Sequence, residues 1–180
     1  MKAELLCRIK NEAWMMNVLK IVQELNLPDC WIGAGFVRNK AWNILHDYSE
    51  IISVNDIDIV FFDNKNTTQE YEEFMTNELH KKYPTLNWEV INQARTHLWH
   101  NRLPYKSTEE AISEWVETAT CLGIRLNKSN QLELIAPHGL FDLENLILRP
   151  VPSIKDLNIF YNRIEKKKWL EKWPKLKIQI

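Results

Sequence analysis

The sequence contains little of what marks several classes of protein. Its 180 residues include only 3 cysteines, Cys7, Cys30 and Cys121, which are widely spaced and form no CxxC pair. This odd set favours reduced thiols over a disulfide framework or a zinc site, so we expect a cytoplasmic protein. Runs of about 20 apolar residues, the length that a membrane-spanning helix requires, are also missing. We therefore expect no membrane partner.

The charges show no excess of either sign. The chain has 23 Lys plus Arg against 24 Asp plus Glu, a net charge of -1. Because nothing in this balance indicates a general nucleic-acid or membrane surface, any polyanion would have to bind at a local site. The short run Lys166, Lys167 and Lys168 is typical of a solvated helix face, and contact with nucleic acid is the less favoured alternative.

Apolar residues are plentiful enough for one core. Hydrophobic residues make up 45% of the chain, with only 4 Gly and 7 Pro. A chain of this length can bury one substantial core but is short for two. We predict a single domain over residues 1–180, in which 153–180 form a C-terminal helix and tail. The 8 tryptophans indicate either a well-packed core or a stacking pocket, and composition does not separate the two.

Hydrophobic periodicity predicts alternating helices and strands. Helical spacing runs over 3–25, and a short apolar run at 30–32 meets a glycine turn that leads into a helix over 37–45. Residues 56–61 alternate as a strand does, 67–82 read as a helix, and 86–91 as a third strand. Further on, we predict a helix from Ser107, a hairpin of 122–126 with 132–135, and a last helix from 154 to about 173.

Two carboxylates stand two residues apart on the predicted strand 56–61. Asp56 and Asp58 should point to one face, about 7 Å apart along the chain, where their oxygens can bind one hard cation. By itself such a pair is more often found at a strand end or on a solvated face. The preceding turn, with Gly33 and Gly35 at the start of a helix, is suited to an anion. Together the two features indicate a nucleoside triphosphate bound with Mg²⁺.

These segments resemble a known superfamily. The residues that carry the resemblance are Gly33-Ala34-Gly35-Phe36-Val37-Arg38-Asn39 and Asp56-Ile57-Asp58-Ile59. They are similar to the GG-x-V-R-D and D-I-D-I signature of the polymerase-β-like nucleotidyltransferases, which include the tRNA CCA-adding enzymes. Further blocks at 35–42, 88–97, 139–143 and 149–150 resemble a family of bacterial nucleotidyltransferase-fold proteins that has no settled substrate.

The resemblance implies a fold, a metal and a set of site residues. The fold is α/β, a central mixed sheet flanked by helices, and the reaction is nucleotidyl transfer from a nucleoside triphosphate with release of pyrophosphate. Mg²⁺ or Mn²⁺ would be held by Asp56 and Asp58 with Glu89 as the third catalytic carboxylate. The nucleotide-binding residues would be Gly33, Gly35, Phe36, Arg38, Asn92, Gln93 and Arg95, with Arg38 facing either phosphate or an acidic partner. For the residues that follow the Glu89 strand, structural hydrogen bonding is an equally open interpretation.

Three departures from the superfamily pattern keep alternatives open. Ala34 stands where the pattern has a second glycine or a serine, residues 46–55 read as an insertion, and Glu89 rests on a single position. One alternative is a nucleotide-binding or partner-binding module without turnover, and another is a toxin-antitoxin component that nucleotidylates a partner protein. The acceptor is left open as a small molecule, an RNA end or a protein hydroxyl. His97 and His100 share a helical spacing that could bind a transition metal, but no further ligand cluster accompanies them.

Overall fold

The computed structural model describes residues 2–48, 56–100 and 102–180, except for the side chain of His100. Its strands are β1 Trp31–Gly33, β2 Asp56–Phe61, β3 Asn87–Asn92, β4 Gly123–Leu126, β5 Leu132–Ile135, β6 Ile147–Leu148 and β7 Lys177–Ile178. Its helices are α1 Lys2–Lys10, α2 Ala13–Glu24, α3 Gly35–Leu45, α4 Gln69–Lys82, α5 Gln93–Thr96, α6 Thr108–Ser113, α7 Phe141–Glu144, α8 Leu157–Lys167 and α9 Trp169–Lys172. Short 3-10 turns span His97–His100 and Thr118–Thr120. The predicted insertion at 46–55 lies mostly outside the described residues.

Five strands form one mixed sheet in the order β3-β2-β1-β4-β5. β2 and β3 run parallel, and every other neighbouring pair is antiparallel. The predicted central mixed sheet is therefore confirmed, and so is the hairpin of β4 and β5 at the sheet edge, where Leu126 pairs with Leu132. β6 and β7 form a separate parallel pair.

The main core lies on one face of the sheet. Ile57 and Ile59 of β2 and Trp88 and Val90 of β3 are buried in it beneath the flanking helices. Because side chains of a strand alternate between faces, the residues between them point to the opposite face. That opposite face carries Asp58 and is the one on which the site described below is built.

Several of the tryptophan side chains are buried in the core. Trp42, Trp88 and Trp173 are fully buried, and the Trp42 ring meets the Trp169 and Trp173 rings edge-on at centroid distances of 5.5 and 5.0 Å. Such edge-to-face contacts add to the burial of large apolar area. These contacts connect α3 with α9 and with Trp173, the residue that follows α9.

The sequence predicts one continuous N-terminal helix over 3–25, and this prediction was wrong. The structure has two helices, broken at Glu12, whose backbone is extended with φ -92° and ψ 101°. The Glu12 carboxylate lies 2.5 Å from Lys40 Nζ, which fixes the break against α3. The break redirects the chain so that Leu5 and Ile9 of α1, as well as Met15 of α2, reach the core.

The C-terminal segment is also divided more finely than its periodicity predicts. α8 begins after Asp156, whose carboxylate accepts a hydrogen bond from Asn158 N, and ends at Lys168, which is left-handed with φ 52°. This turn starts α9 and places Trp169 and Trp173, both only 2% exposed, in the core. No helix in the described part of the chain is long and apolar enough to cross a membrane.

Candidate active site

Three carboxylates lie on the sheet face opposite the main core. β2 and β3 pair in parallel with Asp58 directly beside Glu89, so both side chains emerge from the same face. Asp56 lies two residues before Asp58 and shares that face, as the alternation predicts. All three residues line one cleft.

The pKa values of Asp58 and Glu89 are both raised. Burial raises the pKa of Asp58, and the nearby charge of Asp56 raises it further, against an opposing effect of Arg38 and Lys167. The pKa of Glu89 is also raised, first by burial and then by the charges of Asp58 and Asp56. Negative charge is therefore concentrated here beyond what the surrounding protein neutralises, and a bound cation would relieve it.

The donor set is suited to a hard divalent cation. All the candidate ligands are carboxylate oxygens, which Mg²⁺ and Mn²⁺ prefer over nitrogen or sulfur. Within the described ranges, no three His, Cys, Asp or Glu side chains already converge as a metal-binding group. Asp56 Oδ1 instead accepts a hydrogen bond of 2.7 Å from Asn87 Nδ2. The chemistry of the site fits the predicted ion, while metal binding itself stays a prediction.

The cleft has a volume of about 670 Å³ and two chemically different walls. The sheet supplies the acidic wall just described. The remaining wall comes from the segments around α6 and α8 and contains cations and aromatic rings. Its cationic and aromatic members are Trp99, Arg102, Tyr105, Trp115, Lys155, Arg163 and Lys167, and it also contains the acidic residues Glu114 and Asp156.

The glycine turn approaches the cleft through its backbone. Ala34, which lines the cleft, precedes α3 and gives the helix no side-chain cap. The first amides of α3, those of Gly35 and Phe36, are therefore left without a capping side chain, as a phosphate-binding helix N-terminus requires. The Phe36 side chain itself packs edge-on against Trp14 in the core. Gly33 has a packing reason of its own, because a Cβ there would lie 2.7 Å from the Trp115 ring.

Arg38 does not reach the cleft. Its guanidinium is buried, donates from Nη1 to Thr120 Oγ1 over 3.0 Å, and stacks 4.4 Å from the Trp169 ring centroid. Burial lowers the pKa of Arg38 to about 10, although the nearby Glu117 charge opposes this effect. The Arg38 side chain lies on the packed side of α3 and does not line the cleft. The geometry therefore does not support the predicted contact with phosphate.

Of the residues predicted around the end of β3, the structure brings only Gln93 to the cleft. Asn92 is fully buried on the core side, where it caps α5 and binds the Asp63 and Asn66 carbonyls at 2.7 and 2.8 Å. Arg95 pairs with Glu72 through Nε at 2.7 Å. Structural hydrogen bonding therefore accounts for the observed contacts of Asn92 and Arg95. Asn92 points away from the cleft because it lies an odd number of residues after Glu89 on β3.

Arg163 and Lys167 of α8 are among the cleft residues that the sequence interpretation missed. Lys167 was assigned with its neighbours to a solvated face, but it lines the cleft whereas Lys166 and Lys168 do not. The four-residue spacing of Arg163 and Lys167 on a helix was the available signal. The ring of His97 contacts the Ala94 carbonyl through Nδ1 at 3.0 Å, and the side chain of its predicted metal partner His100 lies outside the described residues.

The fold and the acidic cleft define a class, the polymerase-β-like nucleotidyltransferases. The chain is similar to a protein whose NMR structure was described as revealing a CCA-adding enzyme head domain. The two are 35% identical with a TM-score of 0.89, over 99% of this chain and 96% of that one. A CCA-adding enzyme in complex with CTP is 20% identical with a TM-score of 0.62. The Thermotoga maritima CCA-adding enzyme complexed with tRNA is 19% identical with the same TM-score.

This chain matches only part of these larger enzymes. This chain is covered to 99% in both cases, but it spans only 43% and 42% of those two chains. A comparison with curated protein sequences gave no match. A family model described as nucleotidyltransferase matches residues 20–178. The chain belongs to this nucleotidyltransferase family. Membership indicates an enzyme that binds a nucleotide and transfers a nucleotidyl group.

Proposed function

We propose that the protein transfers a nucleotidyl group from a nucleoside triphosphate to an acceptor hydroxyl, with a divalent cation and release of pyrophosphate. The observation that carries the proposal is the placement of Glu89 directly beside Asp58 in the parallel ladder, with Asp56 on the same face. Three carboxylates on one wall of a cleft of this size form a site for a cation and a nucleotide together.

Asp56, Asp58 and Glu89 would hold Mg²⁺ or Mn²⁺. When bound, the cation neutralises phosphate charge and supports the leaving group. The residues of the chain bind and orient the reactants around it. The uncapped amides of Gly35 and Phe36 donate to phosphate oxygens, and Gln93 contributes a neutral polar group to the same wall.

The reaction is an in-line displacement at the α-phosphorus. The acceptor oxygen forms a bond to this phosphorus, and the bond to the oxygen that bridges to the β-phosphate breaks. Pyrophosphate leaves with the electron pair. Glu89 either accepts the proton of the acceptor hydroxyl or completes the metal shell, in which case the proton passes to solvent. Positioning and charge stabilisation, without a covalent enzyme intermediate, then account for the rate.

The position of Glu89 favours turnover over a module that only binds nucleotide. A Glu89 far from the aspartates would have favoured the binding module. Its register beside Asp58 gives the chain the full set of carboxylates instead. Structural relatives solved with CTP, with ATP and with tRNA support nucleoside triphosphates as donors and an RNA end as the first acceptor to test.

The test is label transfer from each of the four α-labelled triphosphates, with Mg²⁺ or Mn²⁺, to RNA, protein and small-molecule hydroxyl acceptors. We expect metal-dependent transfer by the wild type and none by an Asp56→Asn, Asp58→Asn variant. An Asp47→Asn, Glu165→Gln variant removes the same two charges outside the cleft and should keep the activity. A wild type that binds triphosphate and metal but transfers no label across this panel would contradict turnover.

A further inference from the structure

The cleft has an acidic wall for the cation, so the phosphates need a source of positive charge on its other side. We propose that Arg163 and Lys167 of α8 bind the β- and γ-phosphates of the triphosphate, and that the buried carboxylate of Glu117 positions Arg163 for this contact. The inference rests on the proposed function, because it assigns the part of the cleft that receives the leaving pyrophosphate.

Arg163 and Lys167 form one cationic surface. They stand four residues apart on α8, a spacing that places two side chains on the same helix face one turn apart. Both line the same cleft as Asp58 and Glu89. A triphosphate lying between the walls would therefore have its α-phosphate near the carboxylates and its terminal phosphates near α8.

Of the other cations near the site, Arg38 and Arg102 are already engaged, and Lys155 lies outside α8. Arg38 is buried against Thr120 and Trp169. Arg102 lies 3.2 Å from the Glu114 carboxylate and donates to the Ser153 carbonyl. Lys155 lines the cleft but precedes α8 and is not on the face that Arg163 and Lys167 share. Among the described residues, Lys167 makes no ion pair or hydrogen bond through its ammonium group, which leaves it available to a ligand.

Glu117 fixes the position of the Arg163 guanidinium. Its side chain is 0% exposed, and its two oxygens lie 3.1 and 3.3 Å from the same atom, Arg163 Nε. The backbone of Glu117 is itself anchored, because its carbonyl accepts hydrogen bonds from the Thr120 and Cys121 amides at 2.8 and 3.2 Å. Burying an ionised carboxylate costs free energy unless it is paired with a cation. The pairing with Glu117 therefore holds the Arg163 guanidinium at this location.

The use of Nε leaves the other edge of the guanidinium for a ligand. Arginine has five N–H donors in a planar fork, and the two terminal nitrogens can bind phosphate oxygens in a bidentate manner. Within the described part of the chain, neither terminal nitrogen of Arg163 has a hydrogen-bond partner. A fixed arginine loses less side-chain entropy on binding than a mobile one, which is the advantage that Glu117 provides.

The test uses inorganic tripolyphosphate with Mg²⁺, titrated calorimetrically into the full chain, with inorganic phosphate as the short anion. Tripolyphosphate avoids any dependence on the base. We expect Lys167→Gln to weaken its binding about tenfold, and Arg163→Met at least as much, since a hydrogen bond between charged groups is lost in each. Lys166→Gln removes the same charge from the neighbouring position outside the cleft and should stay within about twofold of wild type.

A double-mutant cycle tests the positioning role of Glu117. If Glu117 acts through Arg163, Glu117→Gln weakens tripolyphosphate binding in the wild-type background. It then has no further effect when Arg163→Met is already present. Equal weakening in both backgrounds would show a general structural effect and would overturn the role of Glu117. Lys167 is exposed, so its variant is expected to fold and keeps the phosphate site testable whatever happens to the buried pair.

Three results would overturn the phosphate assignment. Lys167→Gln could bind tripolyphosphate as wild type does, or the wild type could fail to bind it. Lys167→Gln could also lose affinity for a short RNA without a triphosphate by the same factor, which would assign these cations to an acceptor strand. In each case, metal-dependent label transfer that Asp56→Asn, Asp58→Asn abolishes would leave the proposed function standing. Loss of that transfer in the wild type would count against the proposed function itself.

Discussion

Arg38 Nη1 donates a hydrogen bond of 3.0 Å to Thr120 Oγ1 inside the protein, so this arginine joins α3 to the 3-10 turn at Thr118–Thr120. We predict that Arg38→Met lowers the free energy of unfolding by about 2–4 kcal/mol, measured by chemical denaturation. The variant loses the hydrogen bonds of the guanidinium to Thr120 and Asn39, and it removes a buried positive charge that lies near the Glu117 carboxylate.

Arg8→Met is the matched control for Arg38. Arg8 lies on α1 with 60% of its side chain exposed and is paired with Glu4 at 3.7 Å. A surface ion pair of this kind contributes little, so the control should change stability by less than about 0.5 kcal/mol. If Arg38→Met costs no more than Arg8→Met but weakens triphosphate binding, Arg38 is a ligand contact and our description of it is wrong.

Asp58 should destabilise the metal-free protein at neutral pH. Its pKa is raised in the folded state, so ionised Asp58 favours the unfolded chain above that pKa, and the penalty disappears as the pH falls below the ordinary aspartate pKa of about 3.9. Asp58→Asn removes the penalty. We expect a higher melting temperature for this variant in chelator at pH 7, and a difference from wild type that shrinks toward pH 4.

Glu165→Gln provides the comparison for the pH series, because Glu165 is an exposed acid on α8. Its melting curve should follow that of the wild type at each pH. A wild type more stable than Asp58→Asn in chelator at neutral pH would mean that the fold stabilises the Asp58 carboxylate, contrary to the effects of burial and of the Asp56 charge that we describe. Added Mn²⁺ should reverse the order, since the cation stabilises only the chain with both aspartates.

Gly33 and Gly35 should differ sharply when each is replaced by alanine. A Cβ at Gly33 would lie 2.7 Å from the Trp115 ring, whereas the nearest atom to a Cβ at Gly35 is 3.8 Å away. We expect Gly33→Ala to cost about 1–3 kcal/mol of stability through overpacking. Gly35→Ala should be neutral or stabilising by up to about 1 kcal/mol, because alanine favours the helix that begins there. Equal effects of the two changes would contradict the close approach of Trp115.

Local pattern was enough to predict the sheet elements that matter most. The alternation in 56–61 predicts β2 with its buried and acidic faces, and polar turn residues predict the hairpin of β4 and β5. Both signals lie within a few residues of sequence. The break at Glu12 was missed because apolar spacing continues across it, while the interaction that fixes it involves Lys40 in another helix.

The site was only half predictable for the same reason. The pair Asp56 and Asp58 is visible as a spacing, but the position of Glu89 depends on how β3 registers against β2. Arg38 was predicted for the site from a motif match but lies outside the cleft. The motif gives no sign of the Trp42 and Trp169 rings that pack against its guanidinium. The cations of α8 come from a distant segment, and only the folded chain brings Lys167 to the cleft.

The central claim is that Asp56 and Asp58, with Glu89, bind a divalent cation together with a nucleoside triphosphate. The most direct measurement is a Mn²⁺ titration followed by electron paramagnetic resonance, in the presence of triphosphate. We predict that the wild type removes free Mn²⁺ from solution, that Glu89→Gln does so more weakly, and that Asp56→Asn, Asp58→Asn leaves only the binding due to triphosphate alone. Binding of Mn²⁺ by that double variant at wild-type affinity would contradict the account.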